Sequence, residues 1–449
     1  MREALSHPVY RKLLAAQVLS VFGSGLTTVA LGLLAFELAG ANAGAVLGIA
    51  LALKMVAYVG LAPLATALAA NLPRRPFLIT LDLCRAALVL LLPFVTEIWQ
   101  IYVLVFAFQA FSAAFTPTFQ ATIPDILTDE RQYTQALSLS RLSYDLESLL
   151  SPMLAGLLLS LMSFHWLFAG TALGFLCSAA LVRSVHLPQP RGGAVAAPFR
   201  KRLTRGAWIY LATPRLRGML ALYLAVAAGS AMVIVNTVVR VKDTLALGDA
   251  AVALHFAAYG LGSMVVALTL PRLLEKIAAR QAMLAGGVML ALLMALAALG
   301  PSLNAGLLLW SALGAAAALV QTPSGLILRR SCAEPDRPAV FAAQFALSHA
   351  CWLLAYPAAG LLGAALGLDA TFAIMAAVAA LSTAAARHLW PALDPEEIEH
   401  EHLAFAHEHA EGDADHHPAG TGPHHTHAPL RHKHRYVIDD HHPHWQHSA

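Results

Sequence analysis

Residues 400–449 hold 15 of the chain's 21 histidines. They recur at His-x-His spacing: His400 with His402, His407 with His409, His425 with His427, His432 with His434, and His442 with His444. They also recur as neighbours: His416 with His417, His424 with His425, and His441 with His442, with His447 last. Glu397, Glu399, Glu401, Glu408, Asp413, Asp415, Asp439 and Asp440 interleave. Neutral imidazole is a borderline donor suited to Ni²⁺, Zn²⁺, Co²⁺ and Cu²⁺, and several imidazoles can gather round one ion. The stretch contains no cysteine or methionine, which disfavours Cu(I). It is polar, with glycine and proline interspersed, so it is expected to be a disordered metal-binding tail.

A second group of titratable residues interrupts long apolar runs, where ionisable groups are costly and therefore candidates for function. Asp145 follows Arg141 by one helical turn, and an i,i+4 ion pair is one reading of it. Glu147 lies two residues on, about 200° round a helix, on the side of Ser140, Ser143, Tyr144 and Ser151. It is a candidate for binding a cation or proton. Lys54, with Tyr58 one turn along, reads either as a transport residue or as half of an internal ion pair. His349, near Gln344, Ser348 and Cys351, reads either as a transport residue or as a histidine bonded to a neighbouring carbonyl. Polar stripes at helical spacing add Gln17, Ser20, Ser24 and Thr28, then Gln109, Ser112, Thr116 and Gln120. Asn236, Gln321 and Thr322 are their sparser counterparts later in the chain.

The elements that must position these residues are membrane spans. Hydrophobic residues make up 58% of the 449 residues and charged ones 12%, about half the ~25% charge of soluble domains. Apolar runs long enough to cross a bilayer occupy 13–38, 42–70, 77–97, 100–122, 137–162, 165–184, 218–240, 250–271, 281–300, 304–327, 338–364 and 370–390. Met1–Lys12 is polar and basic, so the first span is expected to stay as a signal anchor. Very short connections (Gly40–Gly44, Thr96–Gln100, Gly300–Asn304, Gly367–Ala370) alternate with longer basic ones. The positive-inside rule then places both termini in the cytoplasm, which an even number of spans allows. A net charge of +3, with basic residues scattered among loops, gives no footprint for nucleic acid. The four cysteines show no CxxC pairing, so neither a disulfide framework nor a thiolate zinc site is expected.

The chain repeats itself weakly. Leu72-Pro73-Arg74 recurs as Leu270-Pro271-Arg272, Thr116-Pro117-Thr118 as Thr322-Pro323-Ser324, and Pro152 with Gly156 as Pro357 with Gly360. Nearly constant offsets suggest two parallel six-helix halves with substrate handled between them. The expected organisation is a six-helix half (1–190), a basic linker lying on the membrane surface (191–217), a second six-helix half (218–390) and the tail (391–449).

These features resemble the major facilitator superfamily, and within it the branch of enterobactin-exporter-like proteins. The resemblance rests on Tyr10-Arg11-Lys12-Leu13 with Gln17, Ser20 and Gly23; on Leu72-Pro73-Arg74-Arg75 with Asp82 and Arg85; and on Phe115-Thr116-Pro117 through Ile123-Pro124-Asp125, with Pro152 to Gly156. It covers most of residues 8–390. One departure stands out: Ala70 and Asn71 occupy the places of the family's usual Asp-Arg pair before Leu-Pro-Arg-Arg. With its histidine tail the chain is most similar to NreB-type nickel-resistance exporters. The resemblance implies an all-α fold of twelve transmembrane helices in which helices 1, 4, 7 and 10 line a central cavity, so the polar stripes would face it.

The resulting expectation is a transporter of the bacterial inner membrane, not an enzyme: no P-loop is present, so an ion gradient would drive it. Its cargo would be a divalent metal cation, nickel first, exported by alternating access with proton antiport. Glu147 and His349 would alternate between metal and proton, which compete for the same lone pairs. No cofactor is required; the expected partners are lipid, divalent metal and protons, and the chain is expected to be monomeric. The tail would collect metal without being part of the transport machinery. Two rivals stand beside this reading: an exporter of organic molecules or siderophores with a metal-buffering tail, and a membrane-tethered metal sensor or store.

Overall fold

In this computed structural model the described residues are 2–61, 72–127, 129, 132, 135–136, 139–140, 143, 151, 154–187, 199–333, 336–392 and 394, then 397–402, 405–408, 424–427, 430–438, 442 and 445 of the tail. In the four tail strands, and at a few helical positions such as Gln120 and Asp125, only the backbone course is described.

The helices are, in order, α1 (Arg2–Ser6), α2 (Pro8–Ala39), α3 (Ala43–Val56), α4 (Arg74–Leu91), α5 (Ile98–Ile126), α6 (His165–Arg183), α7 (Phe199–Ala212), α8 (Pro214–Val239), α9 (Asp249–Leu273), α10 (Ala279–Ala297), α11 (Leu303–Gln321), α12 (Ser324–Arg330), α13 (Arg337–Leu366) and α14 (Leu368–Leu389). Among the described residues ten stretches are long and apolar enough to cross a membrane, the first of them Pro8–Leu61 joining α2 to α3. The expected span 137–162 lies largely outside the described residues, as do Ala70 and Asn71. Gly40, Gly300 and Gly367 stand at three of the four expected short connections with φ of +54°, +69° and +81°. Only glycine adopts that left-handed backbone freely, so these residues let the chain reverse in so few steps.

Large apolar side chains face outward around the bundle: Leu161, Leu268, Leu299, Leu308, Leu354 and Leu381 are all exposed. Such a belt suits lipid and would be a liability in water. Inside, helices meet through small residues, as membrane helices do where burial offers no hydrophobic gain. The two halves meet where α3 crosses α13. There Gly48 faces the carbonyl of Tyr356, and Gly44 packs against Gly360. Asn236 of α8 donates from Nδ2 to the carbonyl of Ala359 at 2.9 Å. This crossing lies on the side of the short turns.

The segment that joins the halves forms α7, which packs on α13 rather than lying free on a surface. Arg205 reaches Asp336 through Nε (2.5 Å) and Nη2 (3.0 Å), and Tyr210 donates to Gln344. Arg215, in the expected basic cluster, is 1% exposed.

Short stretches of the tail are described. Strands β1 (Glu397–His402) and β4 (Leu430–Arg435) pair antiparallel, as do β2 (Phe405–Glu408) and β3 (His424–His427). The second pair continues the register of the first without offset, from Glu397 opposite Arg435 to Glu408 opposite His424. Beyond β4 the chain returns to the bundle, where Tyr436 and Ile438 are fully buried in the main apolar core.

Candidate functional site

A small cleft with several polar side chains in its wall lies inside the first half. Its walls are Ser24, Thr27, Thr28 and Leu31 of α2, Leu51 and Lys54 of α3, Tyr58 just beyond it, Leu92, and Val105, Phe108 and Gln109 of α5. Ser24, Thr28, Lys54 and Gln109, separated in sequence, therefore share one cavity. The hydroxyls of Ser24 and Thr28 each donate to the carbonyl four residues back, at 3.1 and 3.2 Å. That satisfies their protons and leaves oxygen lone pairs for a ligand.

Tyr58 links this cleft to the second half. The Lys54 ammonium lies 5.8 Å from the Tyr58 ring centre, and the His349 ring lies 6.0 Å from the same ring. His349 donates from Nδ1 to the carbonyl of Phe345 at 2.7 Å and stacks on the Phe345 ring at 3.9 Å. That bond selects the tautomer whose Nε2 carries a lone pair, the form that ligates metal or accepts a proton. The carbonyl-bonded and ligating readings of His349 are thus compatible. Trp352, 6.0 Å from His349, is held by a bond from Nε1 to Ser230 Oγ (2.8 Å) and by the Tyr223 ring edge. The wall facing Lys54 is accordingly aromatic.

Other expected cavity residues are placed elsewhere. Gln17 is buried, its Oε1 accepting from Ser140 Oγ at 3.0 Å, a bond joining α2 to the following part of the half. Asn236 is buried at the crossing of the halves. Thr116 bonds weakly to the carbonyl of Ser112 (3.4 Å), and Gln321 caps the end of α11, its carbonyl accepting from Ser324. The stripe rule could not separate these from cavity residues, because small polar side chains join membrane helices as readily as they line pores. Asp145 and Glu147 lie outside the described residues.

A buried polar centre that the sequence did not single out for chemistry sits between α4, α5 and α6. Asp82 pairs with Arg85 and accepts from Ser178 Oγ at 2.8 Å. The Arg85 guanidinium lies over the rings of Phe115 (4.0 Å) and Phe175 (4.4 Å). A charge held by a carboxylate and two aromatic faces is structural cement rather than an open site.

The second unforeseen cluster gathers on the long-connection side of the second half. Arg215 Nε lies 3.4 Å from Asp394, which also takes Arg330 and accepts from Trp390 Nε1 at 3.0 Å. Arg280 donates to the Trp390 carbonyl at 2.8 Å. On its other side the Arg215 guanidinium lies 4.8 Å from the Trp445 ring centre, and Trp445 packs edge-on to Tyr436 at 5.3 Å. Both ends of the histidine-rich stretch therefore close on one arginine.

The tail histidines expected as metal ligands fall into three groups. His400, His402, His407, His424, His425, His427, His432 and His434 stand on the paired strands. His442 is buried at the base, its ring 4.7 Å from that of Tyr436. His409, His416, His417, His441, His444 and His447 lie outside the described residues. The expected pairing of His442 with His444 on one ion accordingly has only its first member placed, and that member is turned to Tyr436. Among the residues whose side chains are described, no group of three or more histidines, cysteines or carboxylates is placed to hold a metal ion.

Helices of membrane-spanning length with exposed apolar sides define a multi-pass membrane protein. The model of the Major Facilitator Superfamily matches residues 13–243 and 219–432, and the chain belongs to that family. Over 196 residues it is 29% identical to the uncharacterized MFS-type transporter YfiS of Bacillus subtilis (strain 168), a match spanning 41% of this chain and 46% of that protein. Among solved structures, it resembles a bacterial homologue of the lysosomal transporter Spinster, inward-facing and unoccupied (TM-score 0.67, 13% identity, 85% of this chain and 96% of the other). It also resembles the nucleoside transporter NupG (TM-score 0.65, 14%, 85% and 100%) and a bacterial metal transporter (TM-score 0.58, 15%, 85% and 98%). Those likenesses establish the fold.

Proposed function

We propose that the protein exports a divalent metal cation, nickel first, from the cytoplasm by alternating access coupled to inward proton movement, and so confers metal resistance. The observation that carries this reading is the closure of a stretch rich in histidine on Arg215, beside the ends of α10, α12 and α14. A collector of metal is thereby kept at the face where the basic connections lie, the cytoplasmic face by the positive-inside rule. His349 supplies a neutral imidazole on the wall opposite the cleft, and Glu147 the carboxylate that exchanges metal for proton. The solved metal transporter of the same fold supports the cargo class by analogy alone.

One observation favours a second reading. The cleft contains Lys54 and faces Tyr58, His349 and Trp352. A cation beside aromatic rings suits an anionic or aromatic organic cargo such as a siderophore. Everted inner-membrane vesicles decide between them: Ni²⁺ uptake that needs an imposed pH gradient supports the first reading. Failure to move Ni²⁺, Zn²⁺ or Co²⁺ under any gradient overturns it and leaves the organic cargo, or a store that transports nothing.

A further inference from the structure

Where the two halves cross on the short-turn side, one end of a buried amide is left without a hydrogen bond. Asn236 of α8 is 1% exposed. Its Nδ2 donates to the carbonyl of Ala359 at 2.9 Å and to Met232 Sδ at 3.4 Å. Its Oδ1 is buried and accepts no hydrogen bond among the described residues. That oxygen is wedged between two glycines. A methyl group built on Gly44 of α3 would collide with it, and one built on Gly363 of α13 would stand 3.1 Å away. Turning the amide over would set Oδ1 against the Ala359 carbonyl, two acceptors face to face, so the Ala359 bond fixes which end meets Gly44.

The two ends of this amide face different halves. Ala359 and Met232 belong, with Asn236, to the second half; Gly44 belongs to the first. In alternating access the halves move as bodies. The Nδ2 bonds then survive the movement, and only the surroundings of Oδ1 change. Closing the short-turn side takes water from that oxygen and gives it glycine C–H groups, which are weak donors. A buried acceptor left in that state carries its full desolvation cost. Opening the same side returns the oxygen to water. Neighbouring contacts act in the opposite sense: Gly48 under the Tyr356 carbonyl, Gly360 on Gly44, and Gly32 of α2 on Val238 of α8 pack the closed state closely.

We propose that Asn236 is a counterweight built into the outer closure: its unpaired oxygen keeps the short-turn side only marginally shut, and so sets the share of molecules open to the outside. The inference rests on the alternating-access part of the reading above and is independent of cargo. Populations respond only to interactions that differ between two states. Oδ1 is the atom of this side chain whose interactions differ. Glycine packing without it would favour one state strongly, whereas a transporter needs both states populated in each cycle.

The test is a distance measurement by pulsed electron spin resonance on the full chain in lipid nanodiscs. Spin labels are placed at Ala41→Cys, in the turn before α3, and Ala365→Cys, in the last turn of α13, both exposed positions. The four native cysteines are replaced by alanine. With Asn236 present, a short distance (outer side closed) and a longer one should coexist. Asn236→Val removes the unpaired oxygen and reaches less far toward Gly44. It should raise the short-to-long ratio at least about fivefold, the scale of one buried acceptor left unpaired. Asn236→Ala should shift the ratio the same way and serves if the valine protein does not insert. Asn236→Asp should shift it the opposite way, because a carboxyl group costs more to bury than an amide, whether it stays charged or takes up a proton. Two populations that valine and alanine leave in the native proportion would overturn the inference and leave alternating access intact. Shifts of one sign for valine and aspartate would reduce Asn236 to packing and also overturn it. A single unchanged distance in all four proteins would overturn this inference and alternating access together.

Discussion

Arg215, near the start of α8, lies with its guanidinium 4.8 Å from the ring of Trp445, close to the end of the tail. The same side chain holds Asp394, where the tail begins. The stretch from Asp394 to Trp445 is thereby a loop closed at its base rather than a free end.

Truncation should therefore cost stability as well as metal capture. Ending the chain after Pro395 removes Tyr436 and Ile438, both fully buried. At about 1.5–3 kcal/mol for each large buried side chain, the loss is roughly 3 kcal/mol. Deleting 403–429 instead keeps the base. In detergent the truncated protein should melt several degrees below the internally deleted one. Equal melting temperatures would show that the docked segment adds nothing to the fold.

Arg215→Ala should weaken the base more than Trp445→Ala. Removing Arg215 takes a buried charge from between Asp394 and Trp445. Asp394 keeps Arg330 and Trp390, so the cost stays below the ~3–5 kcal/mol of a stranded buried charge. Trp445 contributes only a ring over a cation that Asp394 still pairs. Thermal melts of the two variants give the order directly.

Lys54 separates the two cargo classes. A fixed ammonium repels a divalent cation by several kcal/mol at ~7 Å in a medium of effective dielectric near 20. For metal cargo, Lys54→Gln should hold or improve apparent affinity. For an anionic organic cargo it should abolish transport. Concentration dependence of flux in vesicles shows which applies.

Glu147, outside the described residues, carries the coupling proposal. Glu147→Gln should abolish metal-driven proton movement with membrane abundance unchanged, while Asp145→Asn should chiefly lower stability if an i,i+4 pair with Arg141 is its role. Wild-type antiport by the Glu147 variant would return that residue to a structural role.

The tail should release its metal as pH falls through roughly 6.5, where free imidazole protonates. The sign follows from competition: protons occupy the lone pairs the ion needs, so affinity is full above that value and lost below it. Equilibrium dialysis of the full chain against Ni²⁺ from pH 7.5 to 5.5 measures this.

Residue order alone determined the membrane-spanning helices, their glycine turns and the histidine-rich tail. Each of these is local: span length is set by bilayer thickness, turn position by glycine and charge, and tail chemistry by composition. The same locality explains which stripe residues could be read. Ser24, Thr28 and Gln109 reach the cleft, whereas Gln17 and Asn236, equally polar and equally well spaced, are spent on Ser140 and Ala359. Only tertiary structure decides that, because the partners lie more than 100 residues away and the bilayer offers them no water as an alternative. It also decided that Arg215 is buried between Asp394 and Trp445, that His442 packs on Tyr436, and that His400 stands opposite His432. A burial and a register are both set by which distant segments meet, and hydrophobic period carries no record of that meeting.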